Sequence, residues 1–93
     1  MPKIKVEGKK THDIMIYALS TCGWCKKTKE FLSNLGVEYC YTDVDLLEGN
    51  EQEEATAQID HWNPDGGFPT IVINNKKCIV GFNAEELKEE LSK

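Results

Sequence analysis

The stretch DIMIYALS, Asp13 to Ser20, is almost unbroken apolar residues, and it runs straight into STCGWCKKT, Ser20 to Thr28. So short a run, ended by a Ser-Thr-Cys-Gly turn, is too brief for a buried helix and reads as a central strand covered on both faces. Beyond the turn the pattern changes period. In CGWCKKTKEFLSNLG, Cys25, Thr28, Phe31, Leu32 and Leu35 share one helical face, while Lys26, Lys27, Lys29, Glu30 and Ser33 point outward. Gly36 supplies a C-cap, so the spacing predicts a helix from about Gly23 to Leu35. A buried strand feeding directly into a helix, with cysteines at the joint, is the strongest constraint in the chain.

The remaining segments extend this unit. VEYCYTDVD alternates Val37, Tyr39 and Tyr41 with Glu38, Cys40 and Thr42, the period of a half-buried strand. Asn50 with Glu53 resembles a capping box, and Ala55, Ile59 and Trp62 form a thin apolar stripe; a second helix is predicted from about Glu51 to His61. NPDGG is a loop. FPTIVINNKKCIVGF holds two β-rich runs around Asn74-Asn75-Lys76, a hairpin, and Asn83 caps a last helix with Ala84, Leu87 and Leu91 inward. The order β-α-β-α-β-β-α gives an α/β fold with a mixed four-stranded sheet flanked by helices. KIKVEG, in the first ten or so residues, either adds an edge strand or is mobile.

Ninety-three residues make one small domain, taken as residues 1–93. A net charge of −5 argues against non-specific nucleic-acid binding, because the only basic cluster is Lys26, Lys27 and Lys29. No stretch has the length of a membrane span, and MPKIKVEGKKTHD lacks the apolar core of a secretory signal. A cytoplasmic protein is the default expectation.

A CxxC pair serves three chemistries: metal binding, a structural bridge, or redox exchange. Structural zinc usually needs a second close pair, whereas Cys40 and Cys78 stand apart in strand patterns and His12 and His61 are lone. A structural disulfide is disfavoured in a reducing compartment. Redox exchange suits the placement. Cys22 falls at the helix start, where unpaired N–H groups and the helix dipole favour a thiolate; Cys25 lies one turn on, on the packed face, where burial disfavours the charge. One accessible thiolate and one shielded thiol can attack a disulfide and then resolve the mixed disulfide from within. Cys40 and Cys78 read as small buried strand residues. Trp24, in the turn between the cysteines, reads as an exposed contact surface for a partner, and Trp62 as packing.

With CxxC, YTDVDL, FPTIVINN and VGFNAEEL in this order, the chain from about Asp13 to Leu91 resembles the glutaredoxins of the thioredoxin superfamily, including the redoxins that supply electrons to ribonucleotide reductase. The resemblance implies a thioredoxin-like fold and a dithiol oxidoreductase that reduces protein disulfides. Cys22 then matches the family's nucleophile and Cys25 its resolving cysteine. Pro69 matches the cis proline that faces them and turns the Phe68 backbone toward substrate, and Gly81, Phe82 and Asn83 match the turn that helps recognise thiol partners. Departures are specific. Gly23-Trp24 replaces the Pro-Tyr common in glutaredoxins, Leu19 stands where a glutathione-binding lysine is common, and Val80-Gly81-Phe82-Asn83 replaces a Gly-Gly turn. The implied partners are disulfide-containing proteins, with glutathione as co-substrate or a thioredoxin-reductase-like protein as electron donor. A monomer needing no metal or organic cofactor is expected. The alternative within the family is an iron–sulfur cluster carrier that uses glutathione.

Overall fold

The computed structural model describes residues 3–93. Five strands form one sheet in the order β1-β3-β2-β4-β5, where β1 is Ile4–Val6, β2 Ile14–Ala18, β3 Tyr39–Asp43, β4 Thr70–Ile73 and β5 Lys77–Val80. Helices α1 (Gly23–Leu35), α2 (Gly49–Trp62) and α3 (Ala84–Leu91) flank it. β2 and β3 are parallel, as a strand–helix–strand crossover requires, and every other pairing is antiparallel. The order of elements from β2 onward is the one the sequence predicts.

The sheet has a fifth strand where four were expected. Ile4–Val6 pairs antiparallel with Tyr39–Tyr41, so KIKVEG does add an edge strand; residues 1 and 2, ahead of it, lie outside the described residues. The chain after β1 then passes so close to the α1–β3 turn that a Cβ on Gly8 would come within 2.7 Å of the Val37 carbonyl carbon. Lys9 bonds both ways there, its N–H to Gly36 O at 2.8 Å and its carbonyl to the Glu38 N–H at 3.0 Å. Only glycine fits that approach.

α1 has the predicted bounds, with Gly36 in the left-handed conformation at φ 73°. At the hairpin, Asn74 and Asn75 both take positive φ and Lys76 N–H bonds to Ile73 O, the backbone a tight twisted turn needs. Three local expectations are corrected. Leu35 is exposed: it is the last residue of α1, where the left-handed Gly36 turns the chain. α2 begins two residues before the predicted start, with Glu48 at its N-cap and no side-chain cap bond, so the Asn50–Glu53 capping box does not form. Thr42 is buried, since β3 is covered on both faces and not on one.

Both faces carry a core. Ile14, Ile16, Ala18, Ile71, Ile73 and Ile79 pack with Cys25, Leu32 and Leu87 on the α1 and α3 side. Tyr17, Val44 and Val72 pack with Ala55 and Ile59 on the α2 side, where Trp62 is also half-buried. This two-sided burial makes β2 the rigid rod from which the next turn is launched. No helix among the described residues is long and apolar enough to cross a membrane.

Candidate active site

β2 ends at Ala18, and four residues later Cys22 occupies the N-cap of α1. The turn is closed by Cys22 N–H to Leu19 O at 3.1 Å. It is also held from the side, where Ser20 N–H and Ser20 Oγ–H donate to the two carboxylate oxygens of Asp45 at 2.8 and 2.5 Å. Those two bonds hold the Asp45 carboxyl below its usual range.

Cys22 takes the extended backbone of a cap residue, φ −83° and ψ 118°, and its Sγ accepts a hydrogen bond from Cys25 N–H at 3.2 Å. Sulfur therefore stands where a Ser or Asp oxygen usually caps a helix, facing the positive end of the helix dipole. Cys25 is wholly buried in the α1-side core. Burial pushes its thiol up to about 12, and the hydrogen bond with Cys22 adds to the shift. Both cysteines are free thiols. The pair is chemically unequal, with one sulfur partly exposed at a helix N-terminus and one protonated sulfur behind it.

Register gathers other site residues at the same end of the sheet. Thr70 pairs with Tyr17 on one side and Val80 on the other, so Pro69 lies level with Ala18 and Gly81. Gly81 N–H donates to Pro69 O at 2.8 Å. The Phe68–Pro69 bond is cis, Pro69 is buried, and Phe68 packs partly against both cores. Trp24 is 57% exposed and stacks on Phe82 at 6.2 Å between centroids; Phe31 meets Phe82 edge-on at 5.8 Å. Lys27 lies over the Trp24 ring at 4.9 Å. The structure thus joins Cys22, Cys25, Trp24 and Phe82 around the head of α1. It places Phe68, Pro69 and Gly81 along the adjoining sheet end. Asn83 takes the capping place expected of it. Its side-chain oxygen accepts from Glu86 N–H at 3.1 Å and caps α3.

Two features were not legible in the sequence. Lys29, expected on the outward face, is half-buried, with Nζ 3.2 Å from Asp43 Oδ1 and 3.9 Å from the Tyr41 ring centroid. It bends onto the sheet because the end of β3 lies under that turn of α1. The grip of Asp45 on Ser20 joins residues 25 apart in sequence, and no periodicity signals it.

The other two cysteines lie elsewhere. Cys40 lines a cavity of about 340 Å³ with Lys10, His12, Met15, Glu38 and Val72, toward the start of β2 and away from Cys22. Cys78 is half-buried in β5, and burial raises its thiol. Cys40, Met15, Val72 and Cys78 lie in one row across four strands, so the two sulfurs are separated by roughly three strand spacings, about 14 Å. That is beyond disulfide reach. Among the described residues no group of three or more His, Cys, Asp or Glu side chains is placed to hold a metal ion.

Comparison with known proteins bears on the family and the fold. The Glutaredoxin family model matches residues 14–79. An uncharacterized glutaredoxin-like protein in the rubredoxin operon of Clostridium pasteurianum is 34% identical over 80 residues, covering 86% of this chain and 99% of that protein. The crystal structure of the glutaredoxin from Methanosarcina mazei Go1 superposes with a TM-score of 0.90 at 46% identity, over 98% of this chain and 88% of that one. Methanoredoxin from Methanosarcina acetivorans gives 0.87 at 45% identity, over 92% and 90% of the two chains.

Proposed function

The chain belongs to the glutaredoxin family, and on that premise we propose that it reduces protein disulfides by dithiol exchange through Cys22 and Cys25. The observation that carries this reading is Cys22 Sγ at the N-cap of α1, bonded by Cys25 N–H at 3.2 Å, with the buried Cys25 thiol directly behind it.

In the first step Cys22 thiolate attacks one sulfur of the substrate disulfide. A Cys22–substrate bond forms, the substrate S–S bond breaks, and the second substrate sulfur leaves as a thiolate. Cys25 then gives up its proton, for which the departing thiolate is the nearest base, and attacks Cys22 Sγ. The Cys22–Cys25 disulfide forms and the substrate leaves as a dithiol. The substrate has gained two electrons, one proton from Cys25 and, on the sulfur released last, one proton from water, which took the Cys22 proton before the attack; the protein has lost two electrons and those two protons. In this reading the cycle runs on thiols alone.

The exposed Trp24, stacked on Phe82 beside Cys22, provides the contact surface for the substrate, with Phe68 and Gly81 bordering it. The donor that restores the dithiol is a reductase protein in preference to glutathione. Leu19 offers no cation to an anionic tripeptide, and a lost charged contact costs about 1–3 kcal/mol.

The test is turnover of a protein disulfide with dithiothreitol as terminal donor. Protein alkylated at Cys22 should show no turnover above the dithiothreitol background. Undiminished turnover after complete Cys22 alkylation would refute the assignment.

A further inference from the structure

The turn that delivers Cys22 is open to solvent at the helix start. Thr21 and Gly23 are exposed, and nothing lies within 4 Å of where a Cβ on Gly23 would sit, so no neighbour presses on the turn from beyond the helix start. On the opposite side Asp45 takes both the N–H and the hydroxyl of Ser20, two residues before the nucleophile. Asp45 is itself well anchored. It sits in the 3-10 turn Val44–Leu46, next to the buried Val44, and Leu47 N–H closes that turn on Val44 O at 3.2 Å. Two residues earlier Asp43 holds Lys29, four residues after Cys25. The end of β3 and the turn after it therefore grip the chain on either side of the cysteine pair.

We propose that Asp45 is a positioning residue for Cys22, acting through Ser20 to fix the turn in the geometry that brings Cys22 Sγ onto Cys25 N–H. The inference rests on Cys22 being the reactive thiol. The clamp matters most in the dithiol form. In the disulfide form the covalent bond holds the two sulfurs together, whereas in the dithiol form the turn and hydrogen bonds alone do so. Loosening the clamp lets Cys22 Sγ drift from the Cys25 N–H that it accepts from. The charge of Asp45 acts in the opposite sense, because a nearby carboxylate disfavours a thiolate. Alignment and charge therefore give opposite signs and can be separated.

The experiment is the rate of Cys22 alkylation by iodoacetamide at pH 7, resolved from the other cysteines by peptide mass mapping. It compares wild type, Ser20→Ala, Asp45→Ala and Asp45→Asn, with circular dichroism confirming the fold. Ser20→Ala keeps the charge and loses the hydroxyl bond; Asp45→Ala loses both; Asp45→Asn keeps an acceptor oxygen and loses the charge. Alkylation should slow about threefold to tenfold in Ser20→Ala and Asp45→Ala, the scale of one lost hydrogen bond. Asp45→Asn should be restored toward wild type. The dithiol–disulfide potential should move negative in the same two variants, by about 30 mV for a tenfold change.

Unchanged rates in Ser20→Ala and Asp45→Ala would overturn the clamp and leave the proposed function standing. Faster alkylation in both Asp45 variants with Ser20→Ala unchanged would also overturn it, since Asp45 would then act by charge alone. If Asp45→Ala does not fold, the Ser20→Ala rate decides the matter by itself. Wild-type Cys22 no more reactive than Cys78 would remove the proposed function and the clamp with it.

Discussion

Serine in place of Cys25 should stop the reaction halfway. Cys22 Sγ keeps its place at the N-cap, because the bond it accepts comes from the backbone N–H of residue 25, which serine retains. Attack on a substrate disulfide should therefore proceed, and the mixed disulfide should persist, visible as the mass of protein plus substrate and released by dithiothreitol. Cys22→Ser should give no such adduct and no turnover. The asymmetry follows from the site. Cys25 is fully buried and its thiol is pushed up to about 12, so at neutral pH it is a protonated reserve and not a competing nucleophile. The same shift has a consequence for stability. A group whose folded value is raised stabilises the native state below its ordinary value and ceases to do so as pH rises through the folded one. Alkaline destabilisation between the ordinary thiol value of 9.0 and about 12 should be weaker in Cys25→Ser than in wild type. Serine carries its own cost of about 1–3 kcal/mol for a buried hydroxyl without an equivalent partner, so the variant needs a fold check. An adduct on Cys22→Ser, with none on Cys25→Ser, would reverse the two roles.

Leu32→Ala should produce the largest loss of stability among single truncations on α1. Leu32 is fully buried at the centre of the α1-side core, where it packs with Ile16, Ile71 and Cys25 as part of one cluster. Truncation removes the transfer free energy of the lost methyl groups and leaves a cavity, together about 2–5 kcal/mol. In a domain whose total stability is of the order of 5–15 kcal/mol, that is a large fraction. Urea denaturation should show a lower midpoint at nearly unchanged slope. The effect bears on function as well, because the packing of α1 is what seats Cys25 against the sheet. Leu35→Ala, at an exposed position on the same helix, is the internal contrast and should cost little. Equal losses at the two positions would contradict the described seating of α1.

The parts of this protein that were legible in the sequence are those decided locally. The joint of an apolar strand and an amphipathic helix located Cys22 and Cys25, and i, i+3 spacing placed one at the cap and one on the packed face. Gly36, Asn74-Asn75 and Asn83 announced their turns and caps because few residue types accept those backbones or supply those bonds. Trp24 was legible as exposed because it falls in the first turn of a helix that starts at the cysteines. What the sequence concealed depends on partners far along the chain. Thr42 looks outward-facing until α2 is known to cover that side of the sheet. Lys29 looks solvated until Asp43 and Tyr41 are placed beneath it. Asp45 looks like one more surface carboxylate until the sheet brings it beside Ser20. Asn83 shows the converse: the capping role was evident from the sequence, and the structure spends its side-chain oxygen on that cap.

Dithiol exchange at Cys22 and Cys25 is tested by a redox titration in thiol/disulfide buffers followed by Trp24 fluorescence. Trp24 is exposed and stands between the two cysteines in sequence, and Trp62→Phe removes the signal of the other tryptophan, which packs on the α2 side. The predicted result is one reversible transition with a two-electron slope, tenfold per about 30 mV. It should vanish in Cys22→Ser and in Cys25→Ser and be untouched by changes at Cys40 and Cys78. No reversible transition, or one that survives loss of Cys25, would contradict the dithiol mechanism.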